Sequence, residues 1–349
     1  MTYIIKGNTP SKSNCYKVIR LGNRCGLGKQ KKLESYENSF KLQMLNYKYN
    51  LIESEFKFII DVYYDSRRPD LDNSLKVVLD CAHGAAYKIG PEILLDHGVD
   101  LIPINIKPTG KNINHNCGAL FPENLKNTVI KNNADLGIAF DGDADRLIIC
   151  DENGYLIDGD KILAIVSSSL SSQGKLKGKG IVATKMSNLG LHAFLNDINL
   201  NVYECAVGDR YVIEKMRIKK CNLGGEQSGH IIFSDLSCTG DAILSALQVL
   251  SILKIEGKKL SQLLAGFKGT NQKLVNFKLN SDSEEIINNN HFKKKIKGWE
   301  KLLKKEGSIL IRKSGTENLL RVMVQSYDKN MTNKIIKNIK NFINEIDKK

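Results

Sequence analysis

The sequence has 349 residues, of which 42% are hydrophobic and 26% charged, the composition of an ordinary folded protein long enough for two or three domains. No apolar run approaches the ~20 residues that cross a bilayer, and the first residues carry no export signal, so we expect a cytoplasmic protein without a membrane partner. The 52 Lys and Arg residues outnumber the 38 Asp and Glu residues, and the net charge of +14 favours an anionic partner.

Most of the excess positive charge lies on lysines scattered among Asn and Ile, as in residues 28–32, 292–297 and 330–349. This distribution is typical of solvated helix faces. Neither the aromatic-basic signature of an RNA-binding sheet nor the spacing of a zinc finger accompanies it, so we expect no nucleic-acid partner. The 8 cysteines form no Cys-x-x-Cys pair, which indicates free thiols rather than a zinc site or a disulfide framework.

The predicted elements begin after an N-terminal region that is hard to interpret. Up to about Asn73 the chain is polar and shows no strand-turn-helix unit, and residues 1–50 stay unassigned, as what could be a remnant of a first domain. The next segments predict a strand at 75–80, a turn and helix at 81–95, a strand at 136–140, and strands at 146–150 and 155–157. The last two flank an Asn-Gly pair, which predicts a hairpin.

From Gly159 onward helices and strands alternate. Helices are predicted at 161–170, 187–195, 211–218 and 241–255, and strands at 181–184 and 201–205. Residues 268–305 are polar, so we place a boundary near Thr270. Strands at 308–311 and 320–324 follow, and a last helix carries one apolar stripe, formed by Ile335, Ile336, Ile339, Phe342, Ile343 and Ile346. The predicted fold is α/β, with successive mixed-sheet domains at 51–157 and 158–269 and a smaller α+β domain at 270–349.

The sharpest motif is an acidic loop directly after the strand at 136–140. It reads Asp141-Gly-Asp143-Ala-Asp145-Arg146, so three carboxylates at alternate positions can turn toward one point. Their mutual repulsion calls for a cation, and oxygen ligands suit a hard divalent ion such as Mg²⁺. An EF-hand is excluded because its sixth position, which needs glycine, is Arg146.

A second motif, Gly224-Gly-Glu226-Gln-Ser228-Gly-His230, precedes an apolar run. Its glycines let a ligand approach the backbone, and Glu226, Ser228 and His230 at alternating positions would project to one side. They offer an acceptor, a hydroxyl and an imidazole, a set suited to sugar hydroxyls. A tight turn with a capping serine is the alternative.

Two further loops suit an anion. Arg312, Ser314, Gly315 and Thr316 lie between the last two predicted strands and combine a guanidinium, two hydroxyls and accessible backbone N–H groups, which indicates a phosphate cradle. Arg321, on the following strand, is interpreted as structural support. A weaker loop, comprising Gly208, Asp209 and Arg210, precedes a helix whose positive N-terminus also favours an anion.

With these motifs, the chain resembles the α-D-phosphohexomutase superfamily from about Leu75 to its C-terminus. The Gly-Glu-Gln-Ser-Gly-His form at 225–230, the Met-Ser-Asn-Leu-Gly run at 186–190 and the Gly-Asp-Arg-Tyr run at 208–211 are similar to its glucosamine-phosphate subgroup. The resemblance implies an Mg²⁺-dependent isomerase that interconverts glucosamine 6-phosphate and glucosamine 1-phosphate for amino-sugar nucleotide and peptidoglycan precursors. A phosphomannomutase, a phosphoglucomutase and an inactive or binding-only remnant are the alternatives.

The resemblance also implies the role of each site residue. Asp141, Asp143 and Asp145 would hold Mg²⁺, and Arg146 would stand near a phosphoserine. Glu226 and Ser228 would bind sugar hydroxyls, with His230 as a further contact and proton-transfer helper. The sugar phosphate would be gripped by the cradle residues Arg312, Ser314, Gly315 and Thr316.

The sequence departs from the family pattern in one respect. In the family a phosphoserine within a Ser-His-Asn-Pro loop of an additional first domain donates the phosphoryl group, and a hexosamine bisphosphate forms as intermediate and activator. The 349 residues contain no Ser-His-Asn-Pro. We therefore expect turnover by this chain alone to be absent or severely reduced, and binding of the sugar phosphate to persist. The oligomeric state is left open.

Overall fold

The computed structural model describes residues 2–7, 15–20, 75–279, 283–304, 306–313 and 319–347. The first two segments are strands β1 (Thr2–Gly7) and β2 (Cys15–Arg20), which pair antiparallel. Most of the N-terminal region that the sequence leaves unassigned lies outside the described residues, as do Ser314, Gly315 and Thr316 of the predicted phosphate cradle.

The first sheet has five strands in the order β4-β3-β5-β6-β7. The strands are β3 (Lys76–Asp80), β4 (Asp100–Ile104), β5 (Leu136–Phe140), β6 (Leu147–Asp151) and β7 (Leu156–Ile157). Strands β3, β4 and β5 run parallel to one another. Strand β6 pairs antiparallel with β5, and β7 pairs antiparallel with β6. Helices α1 (Ile89–Asp96) and α2 (Glu123–Asn132) connect the parallel strands. The mixed sheet and the hairpin around Asn-Gly are as predicted.

Two of these elements, β4 and α2, were not predicted from the sequence. Strand β4 contains Pro103, which cannot donate a ladder hydrogen bond and therefore argues against a central strand. The structure places β4 at the edge of the sheet, where β3 is its single partner among the described strands and proline is tolerated.

The second sheet has the order β11-β10-β8-β9. Strands β8 (Gly180–Thr184), β9 (Asn201–Cys205) and β10 (Leu223–Gly225) are parallel, and β11 (Ile231–Phe233) is antiparallel. The helices are α3 (Gly159–Ser172), α4 (Leu189–Asp197), α5 (Asp209–Lys219), α6 (Ala242–Glu256) and the short α7 (Leu260–Leu263). Asp158, Asn188 and Asp241 cap α3, α4 and α6 by accepting backbone N–H bonds.

The two sheets share one hydrophobic core. A single cluster of buried side chains runs from β3 and β5 through α3 to β8 and α6. Backbone hydrogen bonds also cross between the sheets, from Leu147 N–H to the Gly229 carbonyl at 3.1 Å and from Ala242 N–H to the Ala144 carbonyl at 3.1 Å. The acidic loop and the Gly224–His230 loop are therefore fixed against each other.

The C-terminal unit is a three-stranded antiparallel sheet of order β12-β14-β13 with helices on one face. Its elements are β12 (Asn271–Lys278), α8 (Ser283–Asn288), α9 (Asn290–Leu303), β13 (Gly307–Lys313), β14 (Leu319–Ser326) and α10 (Lys329–Ile346). A second core lies beneath these helices, and the predicted stripe of α10 packs into it. The lysines of 293–297 lie on the exposed face of α9.

Strand β12 and helices α8 and α9 lie within the polar stretch 268–305, for which the sequence predicted no elements. The sequence does not indicate β12 because most of the residues of this strand are polar. One of its faces contacts the α/β part of the chain through hydrogen bonds of Gln272. Among the described residues, no helix has both the length and the apolar character required to cross a membrane.

Candidate active site

The acidic loop turns three carboxylates toward one point at the end of β5. Ligand atoms of Asp141, Asp143 and Asp145 all lie within 4.8 Å of one another. The turn requires Ala144 to adopt a left-handed backbone with φ +61°. The Asp141 carboxylate accepts hydrogen bonds from the N–H groups of Asp145 and Arg146, each at 3.2 Å, which holds the loop closed.

The charges in this loop are only partly balanced. Burial of Asp141, and next the negative charge of Asp145, raise the pKa of Asp141 to about 7. The Arg146 Nε lies 3.6 Å from Asp141 Oδ2 and 3.7 Å from Asp145 Oδ1, and the latter oxygen is buried with no hydrogen bond from any described residue. Three crowded carboxylates, one with a buried oxygen that accepts no such bond, fit a divalent cation with oxygen ligands.

His230 is directed at the acidic loop. Its Nδ1 lies 3.2 Å from Asp145 Oδ2, its Nε2 accepts a hydrogen bond from Gly240 N–H at 3.2 Å, and the residue is only 5% exposed. Burial lowers the pKa of His230, but the hydrogen bond and charge of Asp145 outweigh it and raise that pKa above its ordinary value. Both ring nitrogens are thus engaged, which favours a role in orienting Asp145 over the expected sugar contact and proton transfer.

The loop with the predicted sugar ligands is a turn between β10 and β11, and not an extended strand. Gly229, at φ +94°, donates its N–H to the Glu226 carbonyl at 3.0 Å. The side chains of Glu226, Ser228 and His230 therefore do not project to one side, as expected for alternating positions of an extended segment, because the turn at 227–229 reorients them. Ser228 is exposed, whereas His230 is buried.

Glu226 links this turn to the Gly208 loop. Its Oε1 accepts a hydrogen bond from Gly208 N–H at 2.9 Å. Gly208 has φ +127° and precedes α5, and Asp209 and Arg210 are exposed in the first turn of that helix. The acidic loop, the turn at 226–229 and the Gly208 loop therefore form one connected group.

Arg312 lies on the C-terminal sheet, at a distance along the chain from this group. It is on β13 directly opposite Arg321 of β14, and the Nε of each is buried without a hydrogen-bond partner among the described residues. Two adjacent guanidinium groups repel each other unless an anion lies between or beside them. Arg321 therefore joins Arg312 as a candidate anion contact, although the sequence had indicated only structural support. The short separation of the two arginines, with eight residues between them, is the signal that could have found it.

Comparison with known proteins matches nearly all of the α/β and C-terminal parts to one family. Its profiles are described as phosphoglucomutase/phosphomannomutase alpha/beta/alpha domain II, alpha/beta/alpha domain III and C-terminal domain, and they match residues 55–154, 158–269 and 274–341.

Curated relatives include phosphoglucosamine mutases of Geobacter sp. (strain M21), 48% identical over 282 residues, and of Granulibacter bethesdensis, 47% identical over 264 residues. These matches cover 80% and 76% of this chain and 62% and 57% of the relatives. The chain thus spans about three fifths of the length of these relatives.

Solved structures share the fold at low sequence identity. A phosphoglucomutase/phosphomannomutase family protein from Burkholderia thailandensis superposes with a TM-score of 0.66 at 20% identity, covering 88% of this chain and 69% of that chain. The Aspergillus fumigatus N-acetylphosphoglucosamine mutase in complex with GlcNAc-6P and magnesium gives 0.63 at 20% identity, covering 82% and 68%.

Proposed function

Because this chain belongs to the phosphoglucomutase/phosphomannomutase family, we propose that its site is that of a phosphoglucosamine mutase, the enzyme that interconverts glucosamine 6-phosphate and glucosamine 1-phosphate. Relatives that carry this name at 45–48% identity support the choice of substrate. The proposed setting is the cytoplasmic supply of amino-sugar nucleotides for peptidoglycan.

One observation carries the proposal: the candidate metal and sugar loops are held against each other. The contact between His230 and Asp145 and the backbone bond from Leu147 to Gly229 leave little freedom between them. A phosphoryl group bound at the acidic loop would therefore lie beside a sugar bound at Glu226 and Ser228. Fixing both reactants in this way is how an enzyme lowers the entropic part of a phosphoryl-transfer barrier.

Asp141, Asp143 and Asp145 are the proposed Mg²⁺ ligands, since their carboxylates converge and a buried oxygen of Asp145 accepts no hydrogen bond from the described residues. Bound Mg²⁺ supplies neutralisation of the charge on the transferring phosphoryl group. Arg146 stands beside the same carboxylates and is placed to meet the phosphoryl oxygens. His230 holds Asp145 in its orientation.

The remaining residues bind the substrate in this proposal. Glu226 accepts hydrogen bonds from sugar hydroxyls and Ser228 exchanges hydrogen bonds with them. Gly208, Asp209 and Arg210 lie beside this loop, which Gly208 contacts through Glu226. The phosphate that does not react is gripped by Arg312 and Arg321, together with Ser314, Gly315 and Thr316. Two arginines provide charge-assisted hydrogen bonds that fix the far end of the sugar.

The phosphoryl donor of the family is not among these residues. Family members use a phosphoserine in a Ser-His-Asn-Pro loop, which the sequence of 349 residues does not contain. We propose that the chain binds the sugar phosphate. Turnover requires a phosphoserine that is loaded by hexosamine bisphosphate, and the sequence contains no such serine within a Ser-His-Asn-Pro loop.

Calorimetric titration with glucosamine 6-phosphate in the presence of Mg²⁺ tests the proposal. We expect binding, and we expect Arg312→Leu to weaken it roughly tenfold to a hundredfold because a hydrogen bond to a charged group is lost. Arg217→Leu, in the last turn of α5, is the matched control and should leave the affinity unchanged.

Two outcomes would contradict the proposal. If no heat of binding is measured at millimolar glucosamine 6-phosphate, the chain does not bind this sugar phosphate. If mannose 6-phosphate or glucose 6-phosphate binds more tightly than glucosamine 6-phosphate, the substrate is one of those sugars. A coupled mutase assay with hexosamine bisphosphate gives the second measurement. Rapid turnover by this chain alone would show that a nucleophile other than the Ser-His-Asn-Pro serine is present.

A further inference from the structure

Gln227, in the middle of the candidate sugar loop, is directed at the C-terminal sheet. Its Nε2 donates a hydrogen bond to Oε1 of Gln272, on strand β12, at 2.7 Å. Its neighbour Glu226 instead accepts from the Gly208 N–H. The loop therefore contacts the C-terminal unit through the one residue of the Glu-Gln-Ser triplet to which no sugar contact is assigned.

The partner of Gln227 is itself held by the α/β part of the chain. Gln272 Nε2 donates to the Met186 carbonyl at 2.8 Å, and its Oε1 also accepts from Asn188 Nδ2 at 3.3 Å. Gln325, opposite Gln272 in the sheet, donates to the Ser187 carbonyl at 3.2 Å and accepts from the Leu189 N–H at 2.9 Å. We call residues 186–189 the seat, because both glutamines of the C-terminal sheet rest on it.

Side-chain hydrogen bonds cross this junction, beside the buried side chain of Met323 on the same face of β14. Each of the two sides has its own core, and a cavity of about 580 Å³ lies between them, lined in part by Gln227, Asn188 and Gln272. Close packing is interrupted at this cavity, so the side-chain hydrogen bonds beside it contribute to how firmly the sheet is held.

The same face of the C-terminal sheet carries the arginine pair. Gln325 and Arg321 are four residues apart on β14, an even spacing that places both side chains on one face about 13 Å apart along the strand. Arg312 lies opposite Arg321 on that face. A rotation of the sheet about the seat would therefore swing the arginine pair toward or away from the sugar loop.

We propose that Gln227 is a positioning residue: through Gln272 it sets the distance between the sugar loop and the arginine pair, so that one phosphosugar reaches both. This inference rests on the proposed function, since it assumes that the two sites hold the ends of one ligand. Gln227 acts on Gln272 and not on the sugar.

The central variant is Gln227→Met, which keeps the length of the side chain and removes the hydrogen bond. We expect its affinity for glucosamine 6-phosphate to fall roughly threefold to tenfold, the usual effect of one neutral hydrogen bond. Its affinity for inorganic phosphate, which needs only the arginine pair, should be unchanged. Gln173→Met, at the exposed end of α3, is the matched control and should alter neither affinity.

A double-mutant cycle with Gln272→Met identifies the route of the effect. If Gln227 acts through Gln272, adding Gln227→Met to Gln272→Met produces no further loss of phosphosugar affinity. Full additivity would overturn the inference, because it would mean that Gln227 contacts the sugar directly. Equal loss of affinity for phosphate and phosphosugar would also overturn it, because that pattern indicates a general loss of structure.

Hydrogen exchange of the free protein separates this inference from the proposed function. We expect the amides of Asn271–Lys278 to exchange faster in Gln227→Met than in the wild type, with those of Lys76–Asp80 unchanged. Failure of the wild type to bind any sugar phosphate would contradict the proposed function, and the exchange data would still decide the coupling. Equal exchange in variant and wild type would overturn the inference.

Discussion

Two buried carboxylates show how differently single residues of the same type are used. Asp80, at the end of β3, is fully buried and accepts hydrogen bonds from Ala82 N–H, Asn105 Nδ2 and Gly118 N–H at 2.8–3.0 Å, so it fixes the turns beside the acidic loop. Asp160, in the first turn of α3, is also fully buried and accepts a hydrogen bond from the Asn188 N–H at 2.7 Å, which holds the backbone of the seat in place.

Asp160 gives the molecule a pH-dependent stability. Burial, and next the charge of Asp158, raise the pKa of Asp160 from 3.8 to about 7. Between those values the unfolded chain releases a proton that the folded chain keeps, so the free energy of unfolding falls as the pH rises through this window. The side chain introduced by Asp160→Asn cannot ionise. We therefore expect the free energy of unfolding of this variant, relative to that of the wild type, to rise by on the order of 2 kcal/mol from pH 5 to pH 8.

Urea unfolding at the two pH values measures this difference. Asp100→Asn, which replaces an exposed carboxyl at the start of β4, is the matched control. A stability difference between Asp160→Asn and wild type that stays constant with pH would contradict the assignment.

At the scale of elements, the turn between β10 and β11 depends on Gly229. A Cβ at this position would lie 2.0 Å from the Leu147 carbonyl oxygen, and φ is +94°. No other residue type permits that approach together with the backbone bond from Leu147 to Gly229. The glycine therefore sets the contact between the acidic loop and the candidate sugar loop.

Gly229→Ala should lower the free energy of unfolding by about 3 kcal/mol or more, because left-handed strain adds to a clash with backbone. Gly174 also has a positive φ, of +66°, but a Cβ there would meet no described residue within 4 Å, so Gly174→Ala should cost only about 1 kcal/mol. Denaturant unfolding of both variants checks the prediction. Similar losses for the two would mean that the close approach to Leu147 is not essential.

At the scale of the whole molecule, the described chain has two main hydrophobic cores, and side-chain hydrogen bonds cross the junction between them. The first spans both α/β sheets, and the second lies under the helices of the C-terminal unit. The acidic loop belongs to the first core and the arginine pair to the sheet of the second. The two ends of the proposed ligand therefore depend on separately stabilised units.

This arrangement predicts separable effects of core mutations. Ile339→Ala, in α10, should destabilise the C-terminal unit by about 2–5 kcal/mol and leave Mg²⁺ affinity unchanged, because the acidic loop is packed elsewhere. Ile162→Ala, at an equally buried position of α3, is the matched variant in the first core. Calorimetric Mg²⁺ titration together with urea unfolding measures both. Loss of Mg²⁺ binding by folded Ile339→Ala would contradict the separation.

How far the sequence predicted the molecule differs between elements. Strands such as β5 and β8 and the apolar stripe of α10 were predicted closely, because continuous apolar runs and a 3.6-residue period are local signals. Strands β4 and β12 were missed because their edge position or polar face depends on neighbours distant in sequence. The same limit applied to Gln227 and Arg321, whose partners lie 45 and nine residues away along the chain.

By itself the sequence determined the chemistry available to this protein, because residue type and spacing are local properties. It supplies alternate aspartates after a strand, glycines where two backbone segments approach each other, and two arginines close together on neighbouring strands. Only the tertiary structure decided which groups meet. His230 binds Asp145, Glu226 reaches Gly208, and Gln227 reaches the C-terminal sheet because packing of two cores brings distant segments within hydrogen-bond distance.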